Sequence, residues 1–262
     1  MPTAEAGTVF DWTAPGYRGI RELGHSRSGR TVAGVHEASG LPVTIRYLPP
    51  DPTLADYRDD ARVLAGIRSA EVAPLYEYVE TDHGAATIRE YVEGASVRQI
   101  VGGSGVRPES ALALLQAGLG GLAAVHAQGV THRRYCPENL LVDQQGAARV
   151  ADFALAGRPA SSDEVTQPLI MDAEAVRTDV RAAYGVFLMT LTGREPEPAE
   201  IFAPGRLPRK LRPLAEPAAA GDGAALLTAV ATAGRAVSRD WAKRAASDLA
   251  SRVAKARPRR ER

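Results

Sequence analysis

The spacing of apolar residues changes character about a third of the way along this chain. Between Tyr17 and Leu48 the chain reads as short strands, with apolar and polar residues alternating from Leu41 to Leu48. Residues 18–23 lead into Gly24-His25-Ser26-Arg27-Ser28-Gly29, and residues 30–35 lead out of it. Glu37-Ala38-Ser39-Gly40 has the composition of a turn, and the alternating residues 41–48 follow it. After the break at Pro49-Pro50-Asp51-Pro52, a helix is predicted over 54–67, with Leu54, Tyr57, Ala61, Leu64 and Ile67 on one face. Two further strands are predicted over 74–79 and 85–91, around Thr81-Asp82-His83-Gly84. A long helix over 108–128 follows, with Leu112, Leu115, Leu119, Leu122 and His126 three or four residues apart. His126 is read as a helix-face residue. Residues 140–143 and 148–151 then form a hairpin around Gln144-Gln145-Gly146. The chain is thus strand-rich first and helical afterwards.

Composition adds limits. The 262 residues, 45% hydrophobic and 24% charged, are ordinary for a globular protein and long enough to bury a sizeable core. A net charge of +1 gives no bulk attraction to nucleic acid or to a membrane surface. The single cysteine excludes an internal disulfide and fits a reducing compartment. Glu5 and Asp11 interrupt the N-terminus, no signal peptide is evident, and no stretch reaches the roughly 18 apolar residues of a membrane span. A cytoplasmic location is therefore expected. The basic run from Lys255 to Arg262 reads as a solvated tail.

The candidate chemistry centres on Thr131-His132-Arg133-Arg134-Tyr135-Cys136-Pro137-Glu138-Asn139. This stretch resembles the protein-kinase catalytic loop H-R-D-L-x-x-x-N, with Arg134 at the position of the catalytic Asp and Cys136 at that of the loop Lys. Other stretches resemble the family in the same order. Gly24, Ser26 and Gly29 resemble a G-x-G-x-x-G loop that has lost its middle glycine, and Val43-Thr44-Ile45-Arg46 resembles V-A-I-K with arginine for lysine. Asp60 matches the helix glutamate that pairs with that lysine; Arg46 and Asp60 are either a pair or two solvated charges. Glu90 and Val92 fall in the nucleotide-binding hinge, and Arg89 just before it must find an acid or swing into the nucleotide space. Asp152-Phe153-Ala154 resembles D-F-G, so Asn139 and Asp152 would be the two Mg²⁺ ligands. Residues 178–196 resemble the buried helix of the kinase C-lobe, where Asp179 would brace the catalytic loop near His132. Residues 240–249 resemble the closing segment, in which Arg244 would pair with the glutamate of A-P-E; that motif is missing here.

The resemblance runs from Tyr17 to Val253 and implies an α+β, two-lobed kinase-like fold with a small β-rich N-lobe and a larger helical C-lobe. The boundaries expected are residues 1–16 for an extension, 17–92 for the N-lobe, 93–253 for the C-lobe and 254–262 for a basic tail. It implies a bacterial Hanks-type serine/threonine kinase-like protein degenerate at its active site, a pseudokinase that regulates or scaffolds. No cofactor would be required, and Mg²⁺ and ATP would bind weakly or not at all. The partner would be another protein, such as a true kinase or a phosphopeptide-binding protein; Ser161 and Thr166 are candidate acceptors. The alternative is a slow, atypical serine/threonine kinase, since phosphoryl transfer rests mainly on positioning and charge. A third reading gives Cys136 a nucleophilic or redox role beside His132.

Overall fold

A computed structural model describes residues 12–26, 29–48, 54–153, 173–201, 203, 205 and 207–256. Ala154, Ser161, Thr166 and most of the basic tail lie outside them.

The described chain divides into two units. One takes the residues up to Ile67 together with Pro74–Tyr91. It holds strands β1 (Tyr17–Ser26), β2 (Gly29–His36), β3 (Pro42–Leu48), β4 (Leu75–Thr81) and β5 (Gly84–Glu90), in the antiparallel order β1-β2-β3-β5-β4. Helix α1 (Leu54–Gly66) lies against β4. One sheet face carries the core: Val32, Val43, Ile45, Tyr47, Ala86 and Ile88, joined by Ala14 and Tyr17 and edged by Trp12. The Trp12 ring meets Tyr47 edge-on at 5.1 Å. The opposite face of β3 and β5 carries buried polar residues, with Thr44 opposite Arg89 and Arg46 opposite Thr87. β1 is an edge strand, exposes Ile20 and Leu23, and has two register shifts.

The second unit takes residues 68–73 and everything from Val92 onward. A three-stranded antiparallel sheet is made of β6 (Gly94–Ser96), β7 (Leu140–Asp143) and β8 (Ala148–Val150), with the Ser96 capping box starting α2 (Val97–Val101). Val72 adds a parallel bridge to Val150 on the free side of β8. Helices α3 (Pro108–His126), α4 (Ala173–Thr192), α5 (Ala215–Ala220), α6 (Gly223–Val237) and α7 (Trp241–Ala256) complete it, with 3₁₀ turns at Pro198–Glu200 and Arg209–Leu214. The first turn of α4 carries Glu174 ion pairs to Arg177 and Arg181.

α3 is the axis of this unit and packs against α4, α6, α7 and β8. By length and composition alone its 19 residues would also pass for a membrane-crossing helix, as a buried core helix can. In this fold more than half of the apolar window is buried by the surrounding helices, with Leu112, Leu115, Leu119 and Leu122 fully enclosed. Glycines inside a helix cost about 1 kcal/mol each relative to alanine, so their presence calls for a reason. Close approach supplies it. A Cβ at Gly121 would fall 2.7 Å from the Glu71 carbonyl oxygen and from Val150, and one at Gly118 would fall 2.0 Å from the Tyr135 hydroxyl.

Gly118→Ala is therefore expected to destabilise the protein by about 1–3 kcal/mol, the usual range for overpacking a tight core. Tyr135→Phe, which removes the oxygen in closest approach, should recover part of that loss. A double-mutant cycle in urea denaturation reads both; purely additive effects would show that the two residues do not meet.

Candidate functional site

The site is built on the segment from Thr131 to Asn139, between α3 and β7. Its fixed point is Asp179 on α4, 1% exposed. The N–H groups of His132 and Arg133 donate to Asp179 Oδ2 and Oδ1 at 2.6 and 2.8 Å, and His126 Nε2–H donates to Oδ2 at 2.9 Å. A buried carboxylate is costly unless its oxygens are met, and here three donors meet them. The pair of amides fixes an unusual backbone. Arg133 has φ +58°, and the Arg134 N–H turns back to the His132 carbonyl at 2.7 Å. Non-glycine residues rarely adopt that region unless their surroundings impose it.

His132 is buried and ties the loop to the strand beyond it. Arg134 N–H also approaches His132 Nδ1 at 3.3 Å, so Nδ1 is assigned as the acceptor and Nε2–H donates to the Ala151 carbonyl at 3.2 Å. Burial lowers the His132 pKa, which keeps the ring neutral. The ring packs on Phe153 at 4.6 Å and edge-on to Tyr135 at 5.5 Å.

Asn139 closes the loop. Its Nδ2 donates to the Arg134 carbonyl at 3.0 Å and approaches the Asp152 carbonyl at 3.5 Å, while its own carbonyl accepts from Ala151 N–H at 2.8 Å. Asp152 has φ +55°, the second strained non-glycine residue of the site. Asn139 Oδ1 and the Asp152 carboxylate are hard oxygen donors on adjacent backbone. That donor set fits Mg²⁺, which takes one or two protein oxygens beside phosphates rather than a full protein cage. Among the described residues no cluster of three His, Cys, Asp or Glu side chains is placed to hold a metal.

Arg134 is exposed, and only its backbone takes part in the hydrogen bonds above. The Cys136 thiol is pushed up to about 11, first by burial and then by the hydrogen bond to the Glu138 carboxylate. A thiol of that kind is a poor nucleophile. Glu138 is held in turn by Arg98, whose Nε–H donates to Oε1 at 2.7 Å. Arg98 also pairs with Glu195, and its backbone N–H donates to the Pro137 carbonyl at 3.1 Å. No local pattern points to this clamp, because its members lie 40 and 97 residues apart.

In the first unit, the stretch expected as a phosphate loop is largely strand. Gly24 to Ser26 belong to β1, and Ser26 pairs with Gly29, leaving only positions 27 and 28 between them. Gly24 has open space beside it, whereas Gly29 is required: its φ is +144°, and a Cβ would meet the Tyr47 carbonyl oxygen at 2.3 Å and Arg46 Nε at 3.7 Å. Arg46 is half-buried on β3, and Asp60 is half-buried on α1. Arg89 is buried on the same sheet face as Arg46, and its Nη1–H donates to the Glu90 carbonyl at 3.1 Å. Glu90 ends β5, with its N–H on the Pro74 carbonyl at 2.9 Å. In the second unit, Val92 is core, packed with Ala73 and Ala151, and Arg244 lies exposed on α7.

With this geometry in place, comparison with known proteins is informative. A profile of the protein kinase domain matches residues 17–174. The serine/threonine-protein kinase pkn2 of Myxococcus xanthus is 30% identical over 161 residues, covering 58% of this chain and 19% of that protein. PknL of Mycobacterium tuberculosis is 29% identical over 131 residues, covering 50% and 33%. PknB of Mycobacterium leprae is 26% identical over 201 residues, covering 69% and 32%. The chain thus spans a third or less of the length of these relatives. In structure it is similar to the kinase domain of Mycobacterium tuberculosis PknI, with a TM-score of 0.67 at 20% identity, covering 86% of this chain and 97% of that one. At that identity the likeness speaks for the fold.

The raised pKa of Cys136 carries a direct test. At pH 8 only about one thiol in a thousand is ionised when the pKa is near 11, against roughly a quarter for an ordinary cysteine. Alkylation by iodoacetamide in the folded protein should be slower by about two orders of magnitude than after denaturation, and should still be rising above pH 10. A plateau below pH 9 would contradict the geometry around Glu138.

Proposed function

Because this chain belongs to the protein kinase family, we propose that it is a pseudokinase, a kinase fold that acts on a partner protein by binding rather than by phosphoryl transfer. One observation carries this reading. The loop frame is intact around Asp179, His132 and Asn139, yet the residue at the family's catalytic Asp position is Arg134. That aspartate accepts the proton of the substrate hydroxyl and orients it. A guanidinium is protonated at every relevant pH and accepts no proton. General-base catalysis alone typically supplies a factor of about 10²–10⁴, so transfer through this loop falls severely.

The nucleotide side leans the same way. Gly24 to Ser26 run as strand instead of an open glycine loop, and Arg89 buries a guanidinium on the sheet face that carries Arg46. Against this, Asn139 and Asp152 retain a donor set suited to Mg²⁺ beside phosphates, which favours the alternative of a slow serine/threonine kinase. If Mg·ATP binds, those two residues hold the metal. Regulation or scaffolding of a signalling partner follows from the pseudokinase reading, and the partner is a protein.

The two readings separate cleanly in a phosphorylation assay. Incubated with labelled ATP and Mg²⁺, the chain is expected to incorporate no more label than its Asp152→Ala variant. Incorporation that is clear in the native sequence and abolished by that substitution would establish the slow kinase instead. Binding is read independently by thermal denaturation. Millimolar Mg·ATP is expected to raise Tm by less than about one degree, and a rise of several degrees would mean that the nucleotide site is functional.

A further inference from the structure

Away from the loop, the second unit has a concave groove of about 480 Å³ between the start of α3 and one side of α7. Its cations are Arg107, which precedes α3, and Lys243 and Arg244 on α7. Ser247 and Ser251 line it further along the same helix. The lining positions from 240 to 251 recur at intervals of three and four, so they form one stripe about 16 Å long at 1.5 Å per residue. That length matches about five residues of extended peptide at about 3.3 Å each.

Charge decides what the groove favours. Asp248 is already committed, its Oδ2 accepting from Ser110 Oγ at 2.8 Å and from Arg252 Nε at 3.2 Å, with Arg107 Nε 3.8 Å from Oδ1. Elsewhere in this unit Arg98, Arg149, Arg177, Arg181 and Arg194 each pair with an acid. Lys243 and Arg244 are exposed and make no ion pair with any described residue. Asp240 stands at one end of the stripe and repels negative charge there, giving the groove a polarity. A nucleic-acid backbone, with regularly spaced charges, suits neither Asp240 nor a chain of net charge +1.

We infer that this groove docks a short acidic segment of a partner protein. Carboxylates of the segment pair with Arg107, Lys243 and Arg244, and its backbone meets the hydroxyls of Ser247 and Ser251. Arginine forks suit carboxylates because two parallel N–H donors match two oxygens. The end of the segment over Asp240 is uncharged or basic, which sets its direction. The inference stands apart from the question of phosphoryl transfer, since none of these residues belongs to the catalytic-loop segment.

The test uses the full chain and a fluorescein-labelled peptide of alternating glutamate and serine, followed by anisotropy. Saturable binding is expected to weaken at least tenfold with Lys243→Glu combined with Arg244→Glu, and to persist with Lys243→Arg combined with Arg244→Lys. Arg107→Glu, on a separate element, should weaken it independently, with unchanged thermal melts confirming that the variants fold. The proposal is overturned if binding does not saturate by millimolar peptide or if charge reversal leaves it unaltered. It is equally overturned if a single-stranded oligonucleotide or anionic phospholipid vesicles bind more tightly through the same cations.

Discussion

A single buried carboxylate holds the loop that everything else in the second unit surrounds. Asp179 spends its oxygens on two consecutive backbone amides and one imidazole, and thereby fixes Arg133 in a region of backbone space it would not otherwise favour. From that anchor the rest follows by geometry. His132 is turned inward to the Ala151 carbonyl, Phe153 packs against its ring at a tilt, and Asn139 spans the loop to hold the Arg134 carbonyl. Most of these bonds are made by backbone groups, which any residue at position 134 or 136 supplies equally. The frame therefore does not depend on the side chain at position 134, although it does use that of Asn139.

That insensitivity explains how architecture and activity separate within one fold, as the proposed function requires. At the exposed position 134 the backbone supplies the hydrogen bonds that set the loop, so an exchange there leaves the loop standing. The clamp of Arg98 on Glu138 and the buried ring of Tyr135 add further support that has no part in proton transfer. The groove on α7 lies apart from this machinery, and a partner bound there needs the scaffold alone.

Much of the fold was legible because local pattern and tertiary packing agree. The alternation across residues 41–48 marked β3, and the leucine spacing from 112 to 122 marked α3. The ordered motifs placed Asp179 beside the loop, although spacing alone says nothing of a bond across 47 residues. What stayed hidden depends on distant partners. α3 carries a membrane-like composition because four neighbours enclose it, and composition cannot distinguish helices from lipid as surroundings. How far the glycine stretch pairs as a hairpin is a matter of register, since β2 pairs with β1 as far as Gly29. The glycines at 118, 120 and 121 were the neglected signal, since three in the interior of a helix ask for close neighbours.

The notch between Gly118 and Tyr135 also constrains how such a sequence can be reached or undone one residue at a time. A glycine can enter α3 first, at a helix penalty of about 1 kcal/mol, and the tyrosine can then occupy the space it opens. The opposite order passes through a backbone and a ring competing for the same volume. Returning is equally directional, because a smaller side chain at position 135 leaves a void against α3 until residue 118 also changes. The loop's interior contact thus imposes an order on the history open to this chain, glycine first on the way in and tyrosine first on the way out, independent of any selection on the reaction itself.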